Sequence, residues 1–440
     1  MVPKKDGPMR LVIDLSLLNK LLLVPTFKME TVSRIAKGLV GPLWGCTIDL
    51  QDAYFHVPVD WHFHMYLAFV VDDRVYVFQY LPFGLASAPW AFSRIIKPVK
   101  AHLHHMAVLI SSYLDDFLLL NPSSEGLLHN LSEVLSLFKR LGIRVKHEKS
   151  HLVPSQKVLF LGVLFHLDTM DLSLPSAKIA SISALCQETL GLSLMSRRSL
   201  ESLLGTLNFA SDLLPLGRLY LLPLIRWMNF HTSPSTRDLP VRLDQSFKSR
   251  LQVWSEPTFL SGKVPMSIPT PTLQLMTDAS EDGWSGVLLP EDLRIEGLWP
   301  QNSSSCSMNW LELQAVSLSL GHFLPQLQGR LVLIMTDNTT VVSCLRRQGT
   351  LRSETLMSLS KVILEFCHLH DITLVPKYQA GCLDVLADQG SFSCPVSMEY
   401  SLDNHNFEWL SQNMIHFRQT HLPLGTTGRF SPSFLPFRMT

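Results

Sequence analysis

Two groups of acidic side chains interrupt apolar runs in this 440-residue sequence, at places where a bare carboxylate is costly. In the first, CTIDLQDAYFHVPV brings a strand-like run up to Asp49, and SSYLDDFLLL sets Asp115 and Asp116 between apolar flanks, as in a β-hairpin with its acids near the turn. Carboxylates gathered in this way repel one another and resist leaving water unless a cation neutralises them, and hard oxygen ligands suit Mg²⁺ or Mn²⁺. Two such ions roughly 3.5–4 Å apart can activate an attacking 3′-hydroxyl and stabilise a leaving pyrophosphate, which is nucleotidyl transfer. In the second group, Asp278 ends the run LQLMTDAS, Glu312 lies in the helical WLELQAV, Asp337 ends LVLIMTDN, and Asp388 lies in VLADQGS. Two acids at strand ends and two on helices can converge on one sheet edge, forming the oxygen-rich pocket that two-metal hydrolysis of a phosphodiester needs. Asp384 competes with Asp388 for the last place.

Separate elements must position the two groups. Residues 1–170 mix short apolar runs such as RVYVFQY with helical patterns, the mark of an α/β or α+β domain. Residues 171–260 read as helical, because SLESLLGTLNFASDLL spaces Leu200, Leu203, Leu204 and Leu207 three and four apart, as an amphipathic helix requires. Residues 261–272, SGKVPMSIPTPT, carry three prolines without periodicity and read as an extended linker. Over 273–393, LQLMTDAS, LVLIMTDN and ITLVPKY alternate with helical stretches, predicting a mixed sheet with helices packed on it. Residues 394–440 form a tail with no assignment.

Composition sets the limits. At roughly 150 residues per domain the chain makes about three domains, with ample length for buried cores. Hydrophobic residues at 46%, charged residues at 17% and a mean hydropathy of +0.18 exclude a long disordered chain. Lys plus Arg equal Asp plus Glu at 37 each, so any cationic surface for nucleic acid must be local. The start lacks an apolar signal core, and LLPLGRLYLLPLIRW is broken by Arg218 and two prolines, so an intracellular chain, cytoplasmic or nuclear and not secreted, is expected. Seven cysteines without a C-x-x-C pair read as free thiols. HLHH at 102–105 and CHLH at 367–370 lack paired-ligand spacing and read as ordinary surface or core residues.

The segments KKDGPMRLVIDLSLLN, TIDLQDAYF, LPFGLASAPWAF, YLDD, LGIRVKHEKSHLV and FLGVLF occur in the order and rough spacing of reverse-transcriptase motifs. The acids after the linker resemble, in order and spacing, those of the ribonuclease H fold. The chain therefore resembles the reverse transcriptase and ribonuclease H region of a retroelement polyprotein. LLGTLNFASDLLPLGRLYLLPL and WSGVLL also look like the DIRS group, which carries a tyrosine recombinase. The resemblance covers about residues 2–410. It implies a right-hand polymerase of fingers, palm and thumb, with a ribonuclease H-like domain after it, and an RNA-directed DNA polymerase joined to a hydrolytic endonuclease for RNA–DNA hybrids. Two Mg²⁺ or Mn²⁺ ions per site, an RNA template, a DNA primer, the hybrid and deoxynucleoside triphosphates are implied with it.

By the same resemblance, Asp49 and Asp115 bind both polymerase metals, with Asp116 beside them, and Lys4 and Arg10 hold the incoming triphosphate. Tyr54 lies under the sugar and excludes a 2′-hydroxyl. Phe83, Gly84 and Pro89 support nucleotide and template, and Lys149 approaches the triphosphate or the primer backbone. Asp278, Glu312, Asp337 and Asp388 hold the nuclease metals. Fingers residues that the family has ahead of VPKK are absent from this sequence, so the first domain is expected to be truncated at its N-terminus. Phe392 stands where the family usually has Arg, and YQAG at 378–381 replaces H-x-P-G. No integrase, protease or recombinase motif occurs. The competing expectation is an inactive retroelement remnant that only binds nucleic acid.

Overall fold

The computed structural model describes residues 13–300 and 306–379, together with the backbone of two strands, β1 (Val2–Lys4) and β2 (Gly7–Arg10). Two compact units divide the chain: residues 1–273 with 325–333 and 340–376, and residues 274–324 with 334–339 and 377–440.

In the first unit β1 and β2 pair antiparallel, with Val2 opposite Arg10 and Lys4 opposite Gly7. Helices α1 (Ser16–Leu21) and α2 (Val32–Lys37) follow, the second capped by Thr31, whose side chain accepts the Arg34 N–H. Strand β3 (Trp44–Asp49) leads to a hairpin of β4 (Ala68–Val71) and β5 (Arg74–Val77). Helix α3 (Ala88–His105) then feeds β6 (Leu109–Tyr113) and β7 (Asp116–Asn121), and α4 (Ser124–Arg140) precedes β8 (His151–Ser155). These make one four-stranded sheet in the order β6-β7-β3-β8. The run Phe117–Leu120 is apolar throughout because both faces of β7 are covered. Phe117 and Leu119 join the core beneath α3 and α4, with Phe92, Ile96, Val134 and Phe138, whereas Leu118 and Leu120 face a second core with Val158, Phe165 and Leu167.

That second core continues through β9 (Lys157–Phe160), β10 (Val163–His166) and β11 (Asp171–Ser173). Helix α5 (Ser176–Gly191), strand β12 (Leu194–Ser196), helices α6 (Arg197–Ser211) and α7 (Gly217–His231), strand β13 (Pro240–Arg242), and helices α8 (Gln245–Gln252) and α9 (Pro257–Leu260) follow. The stretch is helical as the leucine spacing predicts, and Leu200, Leu203, Leu204 and Leu207 are all buried. It also holds a short ladder of β12 with β13. Within 261–272, β14 (Lys263–Pro265) pairs antiparallel with β11 at the edge of the sheet β14-β11-β10-β9, and Met266 is buried in the same core. An edge strand tolerates Pro265, and three residues are too few to show a period in the sequence.

The second sheet region opens with the antiparallel meander β15 (Leu273–Ala279), β16 (Gly283–Leu289) and β17 (Leu293–Leu298). Helices α10 (Met308–His322) and α11 (Leu324–Leu327), strand β18 (Leu331–Thr336), helices α12 (Thr339–Arg346) and α13 (Glu354–Leu369), and strand β19 (Thr373–Tyr378) follow along the chain. The sheet order is β17-β16-β15-β18-β19, with β15, β16 and β17 antiparallel, and its strands alternate with helices along the chain, as the sequence pattern predicts. Helix α10 lies so close to β16 that a Cβ on Gly286 would meet Ser319 Cβ at 2.9 Å, so only glycine fits there. Among the described residues no helix is long and apolar enough to cross a membrane, and Cys46, Cys186, Cys306, Cys344 and Cys367 are free thiols.

Candidate active sites

The β6–β7 hairpin closes with Tyr113 opposite Asp116, leaving Leu114 and Asp115 as its two-residue turn. Leu114 takes a left-handed φ of 55°, the conformation such a turn demands at its first position and one that normally favours glycine. On the other side of β7, Asp116 is the Cα partner of Asp49 in β3, and the Leu50 N–H donates to the Asp115 carbonyl at 2.9 Å. One sheet end therefore gathers all three acids. Burial, with Asp115 and then Asp49 beside it, pushes the Asp116 carboxyl up to about 6, while Lys149 pulls against the shift. Asp49 is also raised, first by burial and then by Asp115, and Lys149 and Lys146 oppose this. A half-buried, all-oxygen, mutually repelling set fits a hard divalent cation, whose charge would offset the repulsion.

The segment 144–150 wraps Asp49. Lys146 N–H donates to the Asp49 carbonyl at 2.7 Å, and the Ser150 hydroxyl accepts the Asp49 N–H at 3.0 Å while donating to the Lys146 carbonyl at 2.8 Å. Lys149 is exposed at this turn, within electrostatic reach of Asp49 and Asp116. Ser150 and Lys146 have no spacing signal that distinguishes them from other polar residues of a loop, so sequence reasoning passes over them.

Tyr54 belongs to a short 3₁₀ turn, Ala53–His56, that follows Asp52, whose φ is 47°. Its ring lies 5.2 Å from Phe83 and 6.0 Å from Phe92, centroid to centroid, and Asp115 is near enough to raise the phenol pKa after burial has done so. Gly84 has φ 95°, and its carbonyl accepts the Asn19 amide at 2.8 Å, fixing the Phe83–Gly84 turn against α1. Pro89 lies in the first turn of α3. Lys4 sits on β1 and Arg10 on β2.

In the second unit Asp278 lies on β15, Glu312 on α10 and Asp337 just after β18. One carboxylate oxygen from each lies within 4.8 Å of the others. Asp278 and Glu312 are only 7% and 4% exposed, while Asp337 is open to solvent. The sequence alone gives a lone helical acid such as Glu312 no reason to be buried; the apolar α10 carries it inward beside Asp278. Three carboxylates on a rim of mixed exposure fit a hard divalent ion approached from the Asp337 side. Asp388, Asp384 and Phe392 lie outside the described residues, as does the end of YQAG.

Residues 2–165 match the family model described as reverse transcriptase (RNA-dependent DNA polymerase). The chain is 25% identical over 304 residues to the retrovirus-related Pol polyprotein from transposon opus of Drosophila melanogaster, covering 66% of this chain and 29% of that polyprotein. Among solved structures it resembles the foamy viral protease-reverse transcriptase dRH in complex with ds DNA, with a TM-score of 0.56 at 18% identity over 86% of this chain and 64% of the other. It also resembles the foamy viral protease-reverse transcriptase in complex with RNA/DNA hybrid, with a TM-score of 0.53 at 19% identity over 86% of this chain and 49% of the other. At 18% and 19% identity these likenesses show that the chain shares the fold of those structures, and the match to the reverse transcriptase family model covers residues 2–165. The chain spans less than a third of the curated polyprotein it matches.

Proposed function

We propose that this chain is an RNA-directed DNA polymerase whose site is Asp49, Asp115 and Asp116, joined to a nuclease for RNA in RNA–DNA hybrids. The observation that carries the polymerase reading is the register of β3 with β7, which sets Asp49 against Asp116 and Asp115 in the adjoining turn, inside the segment that matches the family model. Mg²⁺ or Mn²⁺ held by these carboxylates would supply Lewis acidity for the attacking 3′-hydroxyl and for the leaving pyrophosphate. Tyr54 walls the sugar position with Phe83 behind it, so that a 2′-hydroxyl meets the ring. Lys149 supplies a positive charge beside the acids for a triphosphate or primer phosphate, and Lys4 and Arg10 are assigned to the triphosphate by motif.

The nuclease reading rests on the convergence of Asp278, Glu312 and Asp337, with Asp388 assigned by sequence as a fourth ligand. Recognition there would use the shape and 2′-hydroxyls of a hybrid more than its bases. Residues 1–170 would form fingers and palm, 171–260 the thumb and connection, and 273–393 the nuclease. LLGTLNFASDLLPLGRLYLLPL and WSGVLL support a place in the DIRS group, and free thiols fit a reducing compartment, cytoplasmic or nuclear. Primer extension on an RNA template with Mg²⁺ or Mn²⁺ is the test: deoxynucleotide addition is expected. Duplex binding without extension would instead assign an inactive remnant.

A further inference from the structure

We propose that Glu30 is a positioning residue for the hairpin that carries Asp115 and Asp116, acting through Ser112 and Lys100; this rests on the polymerase reading above. Strand β6 is the outer strand of its sheet. Because Tyr113 and Asp116 close a two-residue turn, the next pair, Ser112 opposite Phe117, is the non-hydrogen-bonded kind, and the Ser112 N–H points away from β7. Glu30 meets it there: Oε2 accepts that N–H at 2.9 Å, and Oε1 accepts Lys100 Nζ of α3 at 2.7 Å. One carboxylate thus ties the edge strand, three residues before Asp115, to a helix of the core.

The tie is built rather than incidental. The two side chains of the ion pair are 34% and 13% exposed, so Lys100 is largely sequestered, and a bond from N–H to a charged acceptor is among the stronger kinds. Glu30 and Ser112 line a cleft of about 630 Å³ together with Leu114, the strained residue of the turn. A β6 edge without this acceptor would leave its last outward N–H to water and the turn held on one side only, by β7 and by Leu50. Carboxylates that must meet a metal within tenths of an ångström lose rate when the backbone beneath them loosens.

The test uses the full chain, Glu30→Ala and Glu30→Gln, with two readouts: amide hydrogen exchange over residues 110–118, and single-nucleotide extension of a DNA primer on an RNA template with Mg²⁺. Glu30→Ala should speed exchange in that segment and lower kcat by about tenfold to a hundredfold, with KM and duplex affinity changed by no more than about twofold. Glu30→Gln keeps an oxygen for the Ser112 N–H and should retain kcat within about threefold of the parent. Unchanged exchange over 110–118 in Glu30→Ala overturns the proposal, as does Glu30→Gln being as impaired as Glu30→Ala, or a loss of duplex affinity at constant kcat. A parent protein that extends no primer would refute the polymerase reading, and the exchange measurement would still decide whether Glu30 holds the hairpin.

Discussion

Asp49 and Asp116 stand directly opposite each other across the β3–β7 ladder. Like charges in that relation destabilise a sheet, and here a third acid adjoins them in the turn. The arrangement is unfavourable for the fold alone and would become favourable with a divalent ion, which would link stability to metal binding at this sheet end.

The first prediction follows from the sign of that linkage. The Asp116 pKa is raised to about 6 in the folded chain, above its ordinary value of 3.8, so the folded state takes up a proton before the unfolded state does. Stability from this group is therefore lowest above pH 6, rises as pH falls through 6, and levels off below about 4, by an amount on the order of 1–3 kcal/mol. Asp116→Asn should be more stable than the parent at pH 7.5 without metal and should lose this part of the pH slope. Chemical denaturation of both at pH 5 and 7.5 measures it, and Mg²⁺ should stabilise the parent more than the variant. Parallel pH slopes for the two proteins would contradict the assignment.

Tyr54 packs on Phe83 and Phe92, and removing its ring opens space beside the acids without touching them. Tyr54→Ala should lower the preference for deoxynucleotides over ribonucleotides, as a ratio of kcat/KM values, by about 10- to 100-fold, and lower the rate with deoxynucleotides less. An unchanged ratio would make Tyr54 a packing residue only.

Gly217 opens α7, and a Cβ there would meet the Ser211 carbonyl carbon at 2.8 Å and Cα at 2.7 Å, both backbone atoms at the end of α6. Gly217→Ala should cost about 2–3 kcal/mol, since neither helix can move without disturbing buried leucines. Gly205, inside α6, has open space around its Cβ position, and Gly205→Ala should instead gain about 0.5–1 kcal/mol. Thermal melts of the pair should move in opposite directions.

How far the sequence discloses this molecule varies with the kind of interaction. The YLDD hairpin is legible because acids set between apolar strands are costly unless a cation meets them, and α6 is legible from four leucines at helical spacing. The pairing of Asp49 with Asp116 is not, because register is settled by the ladder and by cores on both sheet faces. Glu30 is illegible for a related reason: its partner is a backbone N–H 82 residues away, and nothing in FKMET marks an acid that will find one. The strand Lys263–Pro265 is hidden by its prolines, which read as linker until β11 offers an edge.

The last prediction concerns the two acid groups as separate catalytic centres. Asp49, Asp115 and Asp116 belong to the first compact unit, and Asp278, Glu312 and Asp337 to the second. Asp115→Asn removes a charge from the first group at nearly constant volume and should abolish primer extension while leaving hybrid cleavage. Asp337 is the solvent-facing member of its triad, so Asp337→Asn disturbs packing least. It should remove most hybrid cleavage, because a metal site loses its function as a unit, and leave extension near the parent rate. Both variants should still bind a hybrid duplex, with affinity falling steeply as salt rises, since phosphates carry most of that binding. Cleavage of a labelled hybrid and primer extension, measured on the same preparations, decide the matter. If either substitution abolishes both activities in a protein that still melts like the parent, the two centres are not independent.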